Sequence, residues 1–378
     1  MKPALLLNVG NIVALGVGMA GCVSEPQTAP TARGGASSQE YLVPMGAVPL
    51  RGVEGRLDHL AADPQSGRLF VAALENHTVE VLDLFRLKRL HSIPGLSEPQ
   101  GLLVVGESRL LLVCSRGDGT CRSFDADTFE EGPWVDLGRN ADNVRYDRPR
   151  HTAYVGSGAE PGPGLLSAID LAALLPAQRG GIPAAPRSRA DLLLDRPRQA
   201  DVQAEITLAA HPESFQLDAA NHRIFVNIPD EHHVAVIDVQ TNGMTVTAKW
   251  PVTAAEKNFP MALDAGCSRL FVVCRKPACV LAYDTQTGKM LSSTPCVGDS
   301  DDAFFDTATR RLYVIGGEGF VDAFGWDDKA DRLVLLTRGP TAPKARTGLF
   351  IPALRTLAVV VPHTANEAAA VRLYRVAP

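Results

Sequence analysis

One pattern returns seven times along this 378-residue chain: a basic residue opens a short apolar run, and a second run ending in an acidic or aromatic residue follows. The openings are Arg68-Leu-Phe-Val, Arg109-Leu-Leu-Leu, His151-Thr-Ala-Tyr-Val, Arg223-Ile-Phe-Val, Arg269-Leu-Phe-Val, Arg311-Leu-Tyr-Val and Arg355-Thr-Leu-Ala-Val. Successive anchors lie 41, 42, 72, 46, 42 and 44 residues apart. A period of roughly 40–45 residues is that of a four-stranded propeller blade, and self-similarity at a fixed period decides architecture before any single residue does. The chain therefore reads as all-β, a seven-bladed β-propeller. Radial repetition lets a single unit use a length that would otherwise divide into two or three domains.

The runs that follow the openings support the period. Val79-Glu-Val-Leu-Asp83, Val234-Ala-Val-Ile-Asp238 and Val280-Leu-Ala-Tyr-Asp284 alternate as half-buried strands do, and the closing Asp, shared by five of the seven runs, reads as a turn residue. The long interval exceeds its neighbour by 30 residues (72 − 42), too few for another blade, so residues 172–203 are expected as an inserted surface loop. After the last such run, Val371-Arg-Leu-Tyr-Arg375, no outer strand follows for the seventh blade, while residues 46–50 have no blade of their own. Pairing the two closes the ring with an N-terminal strand and covers a free sheet edge, placing the propeller at 45–378.

The first 21 residues read as an export signal: Lys2, an apolar stretch to about Val17, then small residues ending at Cys22. That stretch is shorter than the roughly 20 residues needed to cross a bilayer. Met19-Ala20-Gly21-Cys22 resembles the lipobox of bacterial lipoproteins, with Met19 in place of the usual Leu. By that resemblance Cys22 is acylated and holds the protein to a membrane, residues 22–44 serve as a flexible tether, and the location is extracytoplasmic, in the periplasm or at the cell surface. In such an oxidising place disulfides persist. Cys114 with Cys121, and Cys274 with Cys279, stand at equivalent hairpin mouths three blades apart and are expected to pair, whereas Cys267 and Cys296 stay free.

A net charge of −5 with no Lys/Arg run gives no electrostatic footprint for nucleic acid. There is no Gly-x-Ser-x-Gly elbow, His-Glu-x-x-His, phosphate loop or dinucleotide fingerprint. What does stand out is a set of polar residues just before the inner strands, at one mouth of the central channel. Arg56, Asp58, His59, Asp142, Asn143, His211, Glu213, Asn258, Asp301, Asp302 and Arg346 make up this candidate ligand-binding set. So many carboxylates in one ring repel unless a cation, the neighbouring arginines or raised pKa values compensate them. No cofactor is identified by motif, but Asp142, Glu213, Asn258 and Asp302 are the donors a hard cation such as Ca2+ would take. Adjacent Asp301 and Asp302 read as a functional pair, so that replacing both with Asn should leave the melting temperature unchanged or raise it.

With these repeats and the lipobox, the chain resembles bacterial YncE-like β-propeller proteins with YVTN-type repeats. The likeness is carried by His211-Pro-Glu-Ser-Phe-Gln-Leu-Asp218, Asn258-Phe-Pro-Met-Ala-Leu-Asp264, Cys274-Arg-Lys-Pro-Ala278, Gly298-Asp-Ser-Asp-Asp302 and Gly316-Gly-Glu-Gly-Phe-Val-Asp322. The resemblance implies fold and location and supplies no catalytic residues. The leading expectation is a lipid-anchored propeller whose polar face binds a small ligand or an extracytoplasmic partner protein. The rival is a hydrolase similar to propeller lactonases, in which Ca2+ would polarise a lactone carbonyl while an acid or His59 handles the proton.

Overall fold

The computed structural model describes residues 41–175, 198–241 and 243–378. The signal segment, Cys22, most of the tether and residues 176–197 of the expected loop lie outside the described residues. Among those described, 28 strands form seven four-stranded antiparallel sheets. Six blades take their strands consecutively, over 60–93, 99–136, 144–208, 215–251, 256–295 and 300–340. Each inner strand touches the next, and the seventh touches the first, so the blades close into a ring.

Buried apolar side chains explain why the repeat is obligatory. They collect into seven clusters, each shared by two adjacent blades and none confined to one. A second strand is thus covered on both faces, and its residues are buried without alternation, as in Leu110–Ser115 and Thr356–Val361. The outer strand Gly243–Pro251 alternates between half-buried and exposed positions because one face meets solvent.

The basic openings prove to be two kinds of residue. Arg109, His151 and Arg355 occupy the left-handed turn before the second strand, with φ of 49–52°, whereas Arg68, Arg223, Arg269 and Arg311 are the first residues of that strand. In those four blades the turn falls instead to Gly67, His222, Ser268 and Arg310. The strand-opening arginines have a shared task. Arg68 donates to Ala126 O at 3.0 Å, Arg223 to Thr285 O at 2.7 Å and Arg311 to Ala377 O at 2.7 Å. Each acceptor follows the third strand of the next blade, so these side chains bracket neighbouring blades together. Arg269 does so by lying over the Trp326 ring, 4.2 Å from its centroid.

The third-strand Asp is a turn residue, as expected. Asp83 Oδ1 accepts from the N–H groups of Phe85 and Arg86, at 2.9 and 2.8 Å, and Asp125 and Asp284 repeat the arrangement. The closing strand is Leu42–Pro49, four residues further toward the N-terminus than 46–50, and it pairs antiparallel with Ala370–Val376. Pro44 and Pro49 lie in it, which an edge strand tolerates and a central one does not.

Candidate functional site

Three structural devices bring side chains to one mouth of the channel. The first is the residue that hydrogen-bonds back to the second strand ahead of the inner strand. Asp58 donates its N–H to Ala72 O at 2.8 Å, Asp142 to Gly156 O at 2.9 Å and Glu213 to Asn227 O at 3.0 Å. These acids are equivalent positions of blades 1, 3 and 4, with Arg56, Asn140 and His211 two residues before them. In blade 7 the same position is held by Arg346. The second device is a register shift in an inner strand, which falls at Gln100, at Phe259-Pro260 and at Asp301. Such bulges re-aim side chains, and Gln100, Phe259 and Asp301 all reach the mouth. The third device is the hairpin of second and third strands, which supplies Arg116 and Glu160 from its loop and Arg275 from the end of a second strand.

All of these side chains except that of Asp58 line a cavity of about 150 Å³; apart from Phe259, each of the twelve is polar or charged. Its arginines are already partnered on one side. Arg56 meets Asp58 at 2.7 Å, Arg116 meets Glu160 at 3.3 Å, and Arg346 meets Asp301 at 3.0 Å and Asp299 at 3.1 Å. Arg275 pairs with Asp301, donates to Ser300 O at 2.8 Å and stacks on Phe259 with 3.9 Å to the ring centroid. Asp301 is thus a bridge between two guanidinium groups. Glu213 has no ion-pair or side-chain hydrogen-bond partner among the described residues. Burial, reinforced by Asp142, Asp301 and Glu160, pushes its carboxyl well above the usual range.

Beneath the mouth sits His59. Its Nε2 lies 3.7 Å from both Asp58 and Asp142, and its Nδ1 lies 3.5 Å from Asp302. Burial opposes its charge, but Asp302, Asp58 and Asp142 outweigh that and hold the imidazolium well above the ordinary histidine range. Burial pushes Asp58 up to about 7 despite His59 and Arg56. Asp142 faces the opposite balance: contacts with His211 and His59 overcome burial and keep it below the usual carboxylate range. Asp302 also accepts the Gly348 N–H at 2.9 Å.

Most of the expected set converges here, with three corrections. Asn258 turns away from the mouth: it is fully buried, and its amide donates to Asn227 Oδ1 at 3.0 Å and to His233 O at 3.3 Å. The register shift just after it delivers Phe259 to the mouth instead. Asn143 is buried behind Asp142 and does not line the cavity. Asp301 and Asp302 do not act as a pair, because the bulge turns the first into the mouth and the second down to His59. The candidate set does not include Gln100, Arg116, Asn140, Glu160, Phe259 or Arg275; Arg116, Glu160 and Arg275 stand in hairpins of second and third strands, which a search just before the inner strands does not reach.

The proposed cation donors do not fit a Ca2+ site. Asp142 and Asp302 spend their oxygens on His59, His211 and Gly348, Asn258 lies elsewhere, and Glu213 is left alone. Among the described residues no group of three or more His, Cys, Asp or Glu side chains is placed to hold a metal ion. In this structure the six cysteines of the described residues are thiols; Cys114 faces Cys121 and Cys274 faces Cys279 directly across their strand pairs.

No family model matches the chain, and no curated protein matches it. Among solved structures it is similar to a chain in the crystal structure of a mitotic checkpoint complex, with 11% identity, a TM-score of 0.68, and coverage of 95% of this chain and 99% of that one. At that identity the likeness carries the fold alone. The chain is a seven-bladed β-propeller with a polar, arginine-rich mouth.

Proposed function

We propose that this is an exported, lipid-anchored propeller of the YncE-like kind that uses its mouth as a binding site for a small polar ligand or for a single side chain of a partner protein. The observation that carries the reading is the convergence of four arginines from four different blade segments on one cavity, in a chain whose net charge is −5. A guanidinium offers five donors, and the acids beside these arginines occupy only part of that capacity. Glu213, whose protonated form the site favours, adds a donor, while Glu160 adds acceptors. Such a wall suits a ligand of mixed charge, its anionic group on the arginines and its ammonium or hydroxyl groups on the acids. A cavity of about 150 Å³ falls below the roughly 300–1,000 Å³ of drug-sized sites, which favours a molecule of amino-acid size. Export and anchoring rest on Met19-Ala20-Gly21-Cys22.

Calorimetric titration with a panel of amino acids, short dicarboxylates and hydroxy acids tests the mouth. At least one class should bind at micromolar to millimolar strength, and Arg346→Gln and Arg275→Gln should each weaken it tenfold or more, as expected for a charge-assisted contact worth about 1.5–3 kcal/mol. Binding that both variants leave untouched would place the ligand elsewhere.

A further inference from the structure

Below His59 the inner strands enclose a second cavity of about 370 Å³ that shares no lining residue with the mouth. It shares Ala62, Pro64 and Val104 with a third cavity among the first-to-second strand turns, so it opens on the opposite face of the ring. Its wall is apolar, with Leu60, Val104, Val144, Phe304, Phe350 and Ile351 prominent. Into this wall the fold sets Arg145. One guanidinium nitrogen donates to Val144 O at 2.9 Å, and the group lies 5.6 Å from the Phe215 ring centroid. Among the described residues no carboxylate lies within 4.0 Å of it. Asp302, the acid that shares the cavity, is engaged by His59 at 3.5 Å and by the Gly348 N–H at 2.9 Å, which offsets its repulsion of an anion. The half-buried guanidinium has Asp302 and Asp142 as electrostatic neighbours but no carboxylate in contact, and an anion arriving with its own apolar body would supply that contact.

We propose that the lower channel binds a small amphipathic carboxylate, with its head on Arg145 and its aliphatic or aryl tail along the apolar inner-strand wall. This site is independent of the mouth and stands whether or not the mouth has a ligand. Charge complementarity selects the carboxylate. The apolar wall selects the tail.

The test uses the full chain with Cys22→Ser, which keeps acyl chains out of the measurement, titrated calorimetrically with hexanoate, octanoate and decanoate and with the alkanols of equal length. Each carboxylate should bind at least tenfold tighter than its alkanol, and each added methylene should strengthen binding roughly fourfold until the channel is full. Arg145→Met should erase the preference for carboxylate while leaving alkanol binding in place. Ala62→Phe, at the lower opening, should weaken both series, and Arg346→Gln in the mouth should change neither. Should Arg145→Met fail to fold, Arg145→Lys retains the charge and should retain the preference at lower affinity. Equal binding of carboxylate and alkanol by the wild type, no binding at millimolar concentration, or a preference that survives in folded Arg145→Met would each overturn the proposal.

Discussion

The raised pKa values of His59 and Glu213, with that of Asp58 near 7, mean that the folded chain holds protons more strongly than the unfolded chain does as pH moves toward neutral. All three have folded-state pKa values above their ordinary ones. Stability is therefore greatest at the acid end of this window and falls as pH rises, by about 1.4 kcal/mol per pH unit for each whole proton of difference. Asp142 works in the other sense, its contribution being lost as pH falls below the ordinary carboxylate range. Urea unfolding should thus show its midpoint declining between pH 5 and 8, and Glu213→Gln should flatten that slope; a midpoint rising over the same interval would contradict the assignment. His59→Gln leaves Asp58, Asp142 and Asp302 without their shared cation and should cost about 3–5 kcal/mol. The Asp301→Asn, Asp302→Asn double variant, expected from the sequence to be neutral or stabilising, should instead lose stability. Asp301 bridges two arginines, and Asn at 302 has one acceptor for the two groups, Gly348 N–H and His59 Nδ1, that Asp302 serves, each loss being worth about 1–3 kcal/mol. Adjacency in the chain suggested a pair, and no residue type there announces the bulge that turns the two side chains apart.

Strands and turns were legible to the extent that they repeat. The period and the third-strand Asp turns could be read directly, because burial on both faces demands apolar runs and an Asx turn demands a short acid. The phase could not. A basic residue is equally acceptable in the left-handed turn and at the first strand position, so Arg109 and Arg68 looked equivalent while differing by one step. The bracket that the strand-opening arginines make to the next blade was likewise invisible, since its acceptors are backbone carbonyls. Arg223→Met or Arg311→Met should lower stability by about 0.5–1.5 kcal/mol for the lost hydrogen bond, read from the denaturant midpoint. The hairpins carrying Arg116 and Arg275 are also those flanked by the facing cysteines. In protein exported to an oxidising compartment, peptide mapping without reduction should recover Cys114 linked to Cys121 and Cys274 linked to Cys279, and reduction should loosen the two hairpins that present those arginines. Cross-links to Cys267 or Cys296 would refute the pairing.

At the level of the whole molecule the ring was predictable because a blade cannot bury its own faces: each apolar cluster needs a neighbour on both sides, and seven repeats with a borrowed strand complete the circle. The proposed anchoring rests on Met19-Ala20-Gly21-Cys22 alone, and on that reading Cys22→Ser should release the protein from the membrane into the soluble extracytoplasmic fraction. Retention after a high-salt wash would exclude the lipid. Closure by Leu42–Pro49 also has a consequence in time. Leu42 pairs with Val376, a separation of 334 residues, the kind of non-local contact that slows folding. A chain emerging at about 5–20 residues per second keeps that strand waiting roughly 17 to 67 s for its partner. Throughout the wait it is an orphan edge, open to pairing with another nascent chain. Pro44 and Pro49, which cannot donate to a ladder, make it a poor template for a stranger while leaving it adequate for the one strand it is meant to meet.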